Sequence, residues 1–310
     1  MKVKAESCVF FVDKMAPEEE YEIVSRHAPK PQRRPAGKLN GSRVLLTGHK
    51  LFVQRHIGVV DLEYVESDEK IFNLLVCLTR LPPFYNFVLN FKERGQDIGR
   101  CHIMDRISRI LGLMVEGRRG DASDLLMEPD SKRYEGIYSE LLRAIHNELT
   151  EWYNFEEDVW STMDKGQGTK TKPLYRDYSP IVEMFQGKVL FNQQEASFEK
   201  GDISLKGFSS VQRAFDSWLE NEKKITKVPA VLVLVVKEQG NLNLLGNTGI
   251  DVAGHSFSLY SFITERDTVS CCYVKDGDHW YGYESDGVRG VSRMEEIRGH
   301  PLMLFYARSG

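Results

Sequence analysis

The C-terminal stretch, residues 228–306, restricts the folding options of this chain more than any other, because it reads as a succession of short strands. Residues 231–236 (VLVLVV) are a continuous β-branched and leucine run, long enough for a strand buried on both faces. Residues 270–275 (SCCYVK) and 279–284 (HWYGYE) flank Asp276-Gly277-Asp278, and Asp-Gly between apolar runs predicts a tight hairpin. Residues 302–306 (LMLFY) are apolar enough for the middle of the same sheet. Ahead of this end, residues 71–78, 103–115 and 134–153 carry helical periodicity. Helices first and strands afterwards make an α+β architecture.

Composition narrows the class. Sixteen Phe and thirteen Tyr among 310 residues supply an ample core, and no apolar run approaches the roughly 18 residues of a membrane helix. A net charge of −4 provides no global field toward nucleic acid. The basic segment 30–35 (KPQRRP) reads as a solvated linker. Five cysteines, odd in number and irregularly spaced, are expected in a reducing compartment, cytoplasm or nucleus. The N-terminal MKVKAESCVFFV has too short an apolar core for a signal peptide.

The order of motifs in residues 58–306 resembles the ubiquitin-specific protease family of papain-like cysteine hydrolases. That family shows "PPVLVLHLKRF", then "GHYTAYVK" and "WYKFDD", then "AYLLFY". This chain has Val228-Pro229-Ala230-Val231-Leu232-Val233-Leu234, then Cys272-Tyr273-Val274-Lys275 and Trp280-Tyr281-Gly282-Tyr283, then Leu302-Met303-Leu304-Phe305-Tyr306. Upstream, Leu81-Pro82-Pro83-Phe84 matches the exit of the family's nucleophile helix, and Ser179-Pro180-Ile181 matches the start of its fingers. Residues 138–149 resemble the helix behind the substrate tail, and residues 210–219 a short helix after the strand at 203–205. The resemblance implies a papain-like fold with a helical thumb at about 55–178 and an antiparallel β palm with reduced fingers at 179–310. An N-terminal extension, 1–54, would carry a strand at 8–12 and a strand pair around 44–53.

The family's chemistry needs a thiolate, a histidine that accepts its proton and a carboxylate or amide that orients the histidine. Counting back from Cys77 puts the nucleophile position at Glu69, and counting forward from Gly58 puts it at Glu66. A carboxylate stands there in either alignment. The base position reads Thr268-Val269-Ser270, so Val269 replaces the histidine, and Glu284 stands for the orienting aspartate. The tail-gripping "QQDA" is Ser131-Lys132-Arg133-Tyr134 here. The first zinc knuckle is Asn192-Gln193-Gln194-Glu195, and the second falls in a gap of the sequence before Val228. A structural zinc site needs four N or S ligands, so the fingers are expected to be a short metal-free hairpin.

Other groups were weighed as replacements. Cys271 and Cys272 alternate on one strand, so at most one faces a cleft, and both are expected to be buried. Cys101 and His102 diverge on any regular element, and Cys77 reads as core. His255 and His279 sit at turns without a cysteine partner. Trp152, Trp160 and Trp218 read as core anchors on helices. The Gly166-Gln167-Gly168 loop lacks P-loop spacing. Retention of scaffold motifs with joint loss of the reacting groups implies an inactive relative with no catalytic residue, metal or cofactor. It would act as a protein-binding scaffold or subunit of an assembly, as an inactive family member does in the spliceosome. The alternative is a binder of ubiquitin or a ubiquitin-like protein that does not cleave it, and a third reading is an isopeptidase with rearranged residues.

Overall fold

A computed structural model of the chain describes residues 57–63, 69–93, 102–121, 130–163, 179–219 and 223–309, apart from 241, 247, 267, 268, 285 and 286. These residues belong to one compact unit, Ile57–Gly310. The N-terminal segment, the basic link, Glu66, Cys101 and the 164–173 loop lie outside them, as do the side chains of Trp152 and Trp160.

The first half is helical. A two-residue strand, β1 (Leu62–Glu63), precedes helix α1 (Glu69–Thr79). Every residue of α1 from Ile71 to Thr79 is buried, so this helix is surrounded on all sides. It ends where Arg80 N donates to Cys77 O and Leu81 N to Leu78 O, at 3.3 and 3.1 Å. Pro82 then opens α2 (Pro82–Glu93), a position where the missing N–H of proline costs nothing. The two helices meet at 93°. No single described helix is long and apolar enough to cross a membrane.

Helix α3 (His102–Glu116), strand β2 (Gly120–Asp121) and helix α4 (Tyr134–Met163) follow. Strands β1 and β2 pair in parallel. The Glu148 carboxylate of α4 accepts from Ile103 N at 2.8 Å and Met104 N at 3.2 Å, placing an anion at the positive end of α3. Arg80 is buried and donates to the carbonyls of Ile57 and Gly58, pinning the irregular segment before β1 to the exit of α1. Helix α4 runs ten residues beyond the expected end at 153, because its second half keeps a helical pattern with no Gly or Pro to stop it.

The second half is mostly sheet. Helix α5 (Pro180–Phe185) leads into β3 (Gly187–Phe191) and β4 (Gln194–Phe198). Strand β5 (Gly201–Ser204), helix α6 (Val211–Leu219) and β6 (Lys224–Lys227) come next. Strands β3, β4 and β6 form a separate sheet in the order β4-β3-β6. The expected finger hairpin is thus a three-stranded sheet. Its third strand is short and rich in lysine, which hid it from any alternation test. Asn192 and Gln193 make the turn, both with positive φ, at 48° and 63°.

The main sheet is built from β7 (Val231–Glu238), β8 (Gly249–Val252), β9 (His255–Arg266), β10 (Val269–Asp276), β11 (His279–Glu284), β12 (Gly287–Val291) and β13 (His300–Arg308). Its order is β12-β11-β10-β9-β13-β7-β5, with β8 also paired to β9. All pairings are antiparallel except β5 with β7. As expected, 302–306 lies centrally, between β9 and β7. The Asp276–Asp278 turn joins β10 to β11, with Gly277 at φ 58°, a conformation glycine adopts without a Cβ penalty. Strand β8 was not expected from sequence. It is a four-residue strand with Asp251 at its third position, and only pairing with β9 defines it.

Both faces of the sheet are covered. One face carries Leu232, Leu234, Leu304, Tyr306, Phe262 and Tyr273, packed with Phe215 of α6. Phe262 stacks on Tyr273 at 5.0 Å and meets Trp280 at 5.3 Å. The other face receives the helices: Phe305 against Tyr138 of α4 at 6.4 Å, and Tyr283 against Phe72 of α1 at 6.2 Å. Trp218 packs on Phe215 at 5.5 Å, at the edge of the first layer.

Phe262 is fully buried between two rings. Replacing it by alanine is expected to cost about 3–5 kcal/mol, measurable by urea unfolding. A loss under about 1 kcal/mol would show that this layer is not tightly packed.

Candidate functional site

The candidate site lies where the head of α1 meets the start of β10. Glu69 is the first residue of α1, and its Oε1 accepts a hydrogen bond of 2.9 Å from Ser270 N. The partners are 201 residues apart in sequence. Ser270 is buried, whereas Val269 beside it is 55% exposed. Among the described residues, Val269 and Phe191 are the large apolar side chains left in water. The structure therefore puts Glu69 next to Val269, the residue that the resemblance sets at the base position. Glu66 lies outside the described residues.

Behind this contact is a polar layer. Asn73, one turn into α1, donates through Nδ2 to the Tyr134 hydroxyl at 3.1 Å. Burial, opposed by the hydrogen bond from Asn73, pushes the Tyr134 hydroxyl far above its ordinary range, so it stays protonated. Lys70 Nζ lies 5.6 Å from the Tyr134 ring centre and donates to Lys132 O at 2.8 Å. Tyr134 and Lys132 belong to the segment that replaces the tail-gripping motif. The first turns of α1 and α4 are thus tied to each other.

Glu284, the third position, ends β11 with its side chain 1% exposed. Arg289 on β12 donates to Oε1 through Nε at 2.7 Å. Arg298 Nη1 lies 2.8 Å from Oε2, an ionic contact without hydrogen-bond alignment. The Arg298 main chain is held in turn, its N donating to the Tyr273 hydroxyl at 2.7 Å and its O accepting from Thr264 Oγ1. Both carboxylate oxygens of Glu284 thus face guanidinium groups.

The cysteines occupy the sheet between these carboxylates. Cys271 and Cys272 are both buried, and they take opposite faces as the alternation required. Cys271 joins the α6-side core. Cys272 lies beside the free thiol of Cys77 on α1, and the Cys77 carbonyl accepts from Ser261 Oγ at 3.0 Å. Burial pushes the Cys271 thiol up to about 11, with Glu284 and Glu69 adding to the rise against Arg298 and Arg289. Burial likewise pushes Cys272 well above its usual range, helped by a side-chain hydrogen bond with Cys77. A nucleophilic cysteine needs the opposite environment, electropositive and partly exposed.

One serine–histidine pair escaped the sequence reading. His146 Nδ1 and Ser179 Oγ are 2.8 Å apart. Ser179 is fully buried and its hydroxyl caps α5 by accepting from Val182 N at 3.4 Å, so no substrate can reach it. His255 and His279 are exposed at the starts of β9 and β11. Among the described residues no group of three or more His, Cys, Asp or Glu side chains is arranged to hold a metal ion.

No protein-family model and no curated protein matches this chain. Solved structures do. A structure of the SAGA Ubp8/Sgf11/Sus1/Sgf73 DUB module aligns with a TM-score of 0.59 and 15% identity, over 83% of this chain and 69% of the other. A yeast SAGA DUB module with an Sgf73 mutant gives 0.57 and 15%, over 83% and 68%. An essential yeast splicing factor gives 0.57 and 8%, over 84% and 71%. Ubp8 is a ubiquitin-specific protease. The chain has the α+β fold of that protease type.

The thiol environment generates a prediction. With a pKa of about 11, about one thousandth of Cys271 is thiolate at pH 8. Cys77, Cys271 and Cys272 are therefore expected to escape iodoacetamide in the native protein and to react fully in urea, as read by peptide mass spectrometry. Rapid native labelling of Cys271 at pH 8 would contradict this. The folded pKa exceeds the unfolded value of about 8.5, so the folded state holds the proton more tightly. The stability this gives is complete below about pH 8.5 and is lost as pH rises through about 11.

Proposed function

We propose that this protein is a catalytically inactive relative of the ubiquitin-specific proteases that works as a protein-binding subunit of a larger assembly. The observation that carries the reading is the Glu69–Ser270 contact beside Val269. At Glu69, one of the two positions that counting assigns to the nucleophile, and at Val269, assigned to the base, it offers a carboxylate already bound to a main-chain amide and an isopropyl group. A carboxylate in place of a thiolate adds no acyl-transfer chemistry here, because among the described residues no histidine stands beside it. Glu284 stands for the orienting carboxylate, yet it is committed to Arg289 and Arg298.

The assembly part of the reading draws on the neighbours. Two of them are structures of a multiprotein DUB module. The SAGA setting of these neighbours supports a nuclear location over the cytoplasm. The second reading, a binder of ubiquitin or a ubiquitin-like protein, rests on the retained palm sheet. The replacement of the tail-gripping motif by Ser131-Lys132-Arg133-Tyr134 weighs against it, since Tyr134 is buried and bonded inward to Asn73.

Purification of the tagged protein from its own cells, followed by native mass spectrometry, tests the proposal. The expected outcome is a complex with a stoichiometric partner other than ubiquitin. A monomer at all stages would overturn the assembly reading, and ubiquitin as the stoichiometric companion would favour the second.

A further inference from the structure

The start of β10 is a sheet edge. Residues 269–276 pair with β9 from Val269 onward, opposite Arg266. On the other side, pairing with β11 begins only at Cys272, opposite Tyr283. Among the described residues, no strand pairs with residues 269–271 on that side. An open run of this kind, with Val269 in solvent, is a template for an extended peptide adding itself as a further strand. Main-chain amides would give such a peptide its affinity.

The Ser270 amide is the donor this template would present, and it is taken. Glu69 Oε1 accepts from it at 2.9 Å. Glu69 is held there from several directions. It is the first residue of a helix buried from Ile71 to Thr79, and that helix is tied to α4 through Asn73 and Tyr134. A carboxylate also presents negative charge to whatever approaches. An incoming strand would meet an occupied donor, and a carboxyl-terminated one would meet repulsion as well.

We propose that Glu69 is a built-in plug of the β10 edge, an intramolecular acceptor that stands in for a peptide and keeps extended tails from pairing with residues 269–271. The inference rests on the scaffold reading above and sharpens it. If the protein binds a ubiquitin-like domain, it does so without threading that domain's C-terminal tail along β10.

Two measurements test the plug. The first is hydrogen exchange at the Ser270 amide by NMR. Glu69→Ala is expected to speed exchange about tenfold or more, since a bond to a charged acceptor is lost. Glu69→Gln, whose amide oxygen still accepts, is expected to keep most of the protection. Equal exchange in wild type and Glu69→Ala would overturn the proposal. The second uses wild-type protein, so it holds even where Glu69→Ala fails to fold. Calorimetric titrations with intact mono-ubiquitin and with ubiquitin truncated before its C-terminal tail are expected to agree, whether both show binding or neither does. Intact ubiquitin binding tenfold more tightly than the truncated form would overturn the plug. That result would leave catalytic inactivity standing, whereas the absence of any partner would remove the scaffold reading and leave the plug intact.

Discussion

The burial of α1 against the sheet is the constraint on which the remaining architecture depends. From Ile71 to Thr79 the helix has no solvent-facing residue, so its stability comes from what surrounds it rather than from its own propensity. The sheet supplies one wall, through Tyr283, Ser261 and Cys272. The helices supply the other, through Tyr134 and the bend into α2. Arg80 locks the exit and Glu69 bonds across the head. Burying a Val, Leu, Ile or Phe side chain contributes about 1.5–3 kcal/mol, and Ile71, Phe72, Leu74, Leu75, Val76 and Leu78 are all buried here. A helix so enclosed fixes how the helical half meets the sheet.

That constraint would let the fold persist through the change of chemistry proposed above. The positions of Glu69, Val269 and Glu284 are set by α1, β10 and β11, whose burial does not depend on what those side chains react with. Evolution of the head of α1 is limited mainly by electrostatics: a carboxylate suits the first turn of a helix and finds a donor in Ser270 N. Glu284 has an equally local solution in Arg289 and Arg298. Each replacement is satisfied where it stands, so the site is a stable polar seam rather than an array of reactive groups. Burial keeps both nearby thiols protonated, and at Cys271 these same carboxylates add to the rise.

Much of the scaffold was legible because it is encoded locally. The VLVLVV run, the Asp-Gly turn and Leu81-Pro82-Pro83 each determine their own backbone, and all three stand where expected. The elements that escaped are those that other elements define. Strand β8 exists by pairing with β9, β6 by pairing with β3, and the far half of α4 by the lack of a stop signal. In the site, sequence counting left Glu66 and Glu69 as equals, since a gap in the alignment has no local mark. The bond between Glu69 and Ser270 spans 201 positions, and only the folded chain brings these residues together. The two arginines on Glu284 were missed for a related reason: they lie between the motif at 280–283 and the one at 302–306, where no pattern singles them out.

The central claim is that this protease fold carries no ubiquitin-cleaving activity. The most direct measurement is hydrolysis of ubiquitin bearing a fluorogenic C-terminal amide, followed over hours at high enzyme concentration. The account predicts a rate equal to buffer alone, unchanged by iodoacetamide. Turnover proportional to protein and abolished by thiol alkylation would contradict it and would return one of the cysteines to a catalytic role.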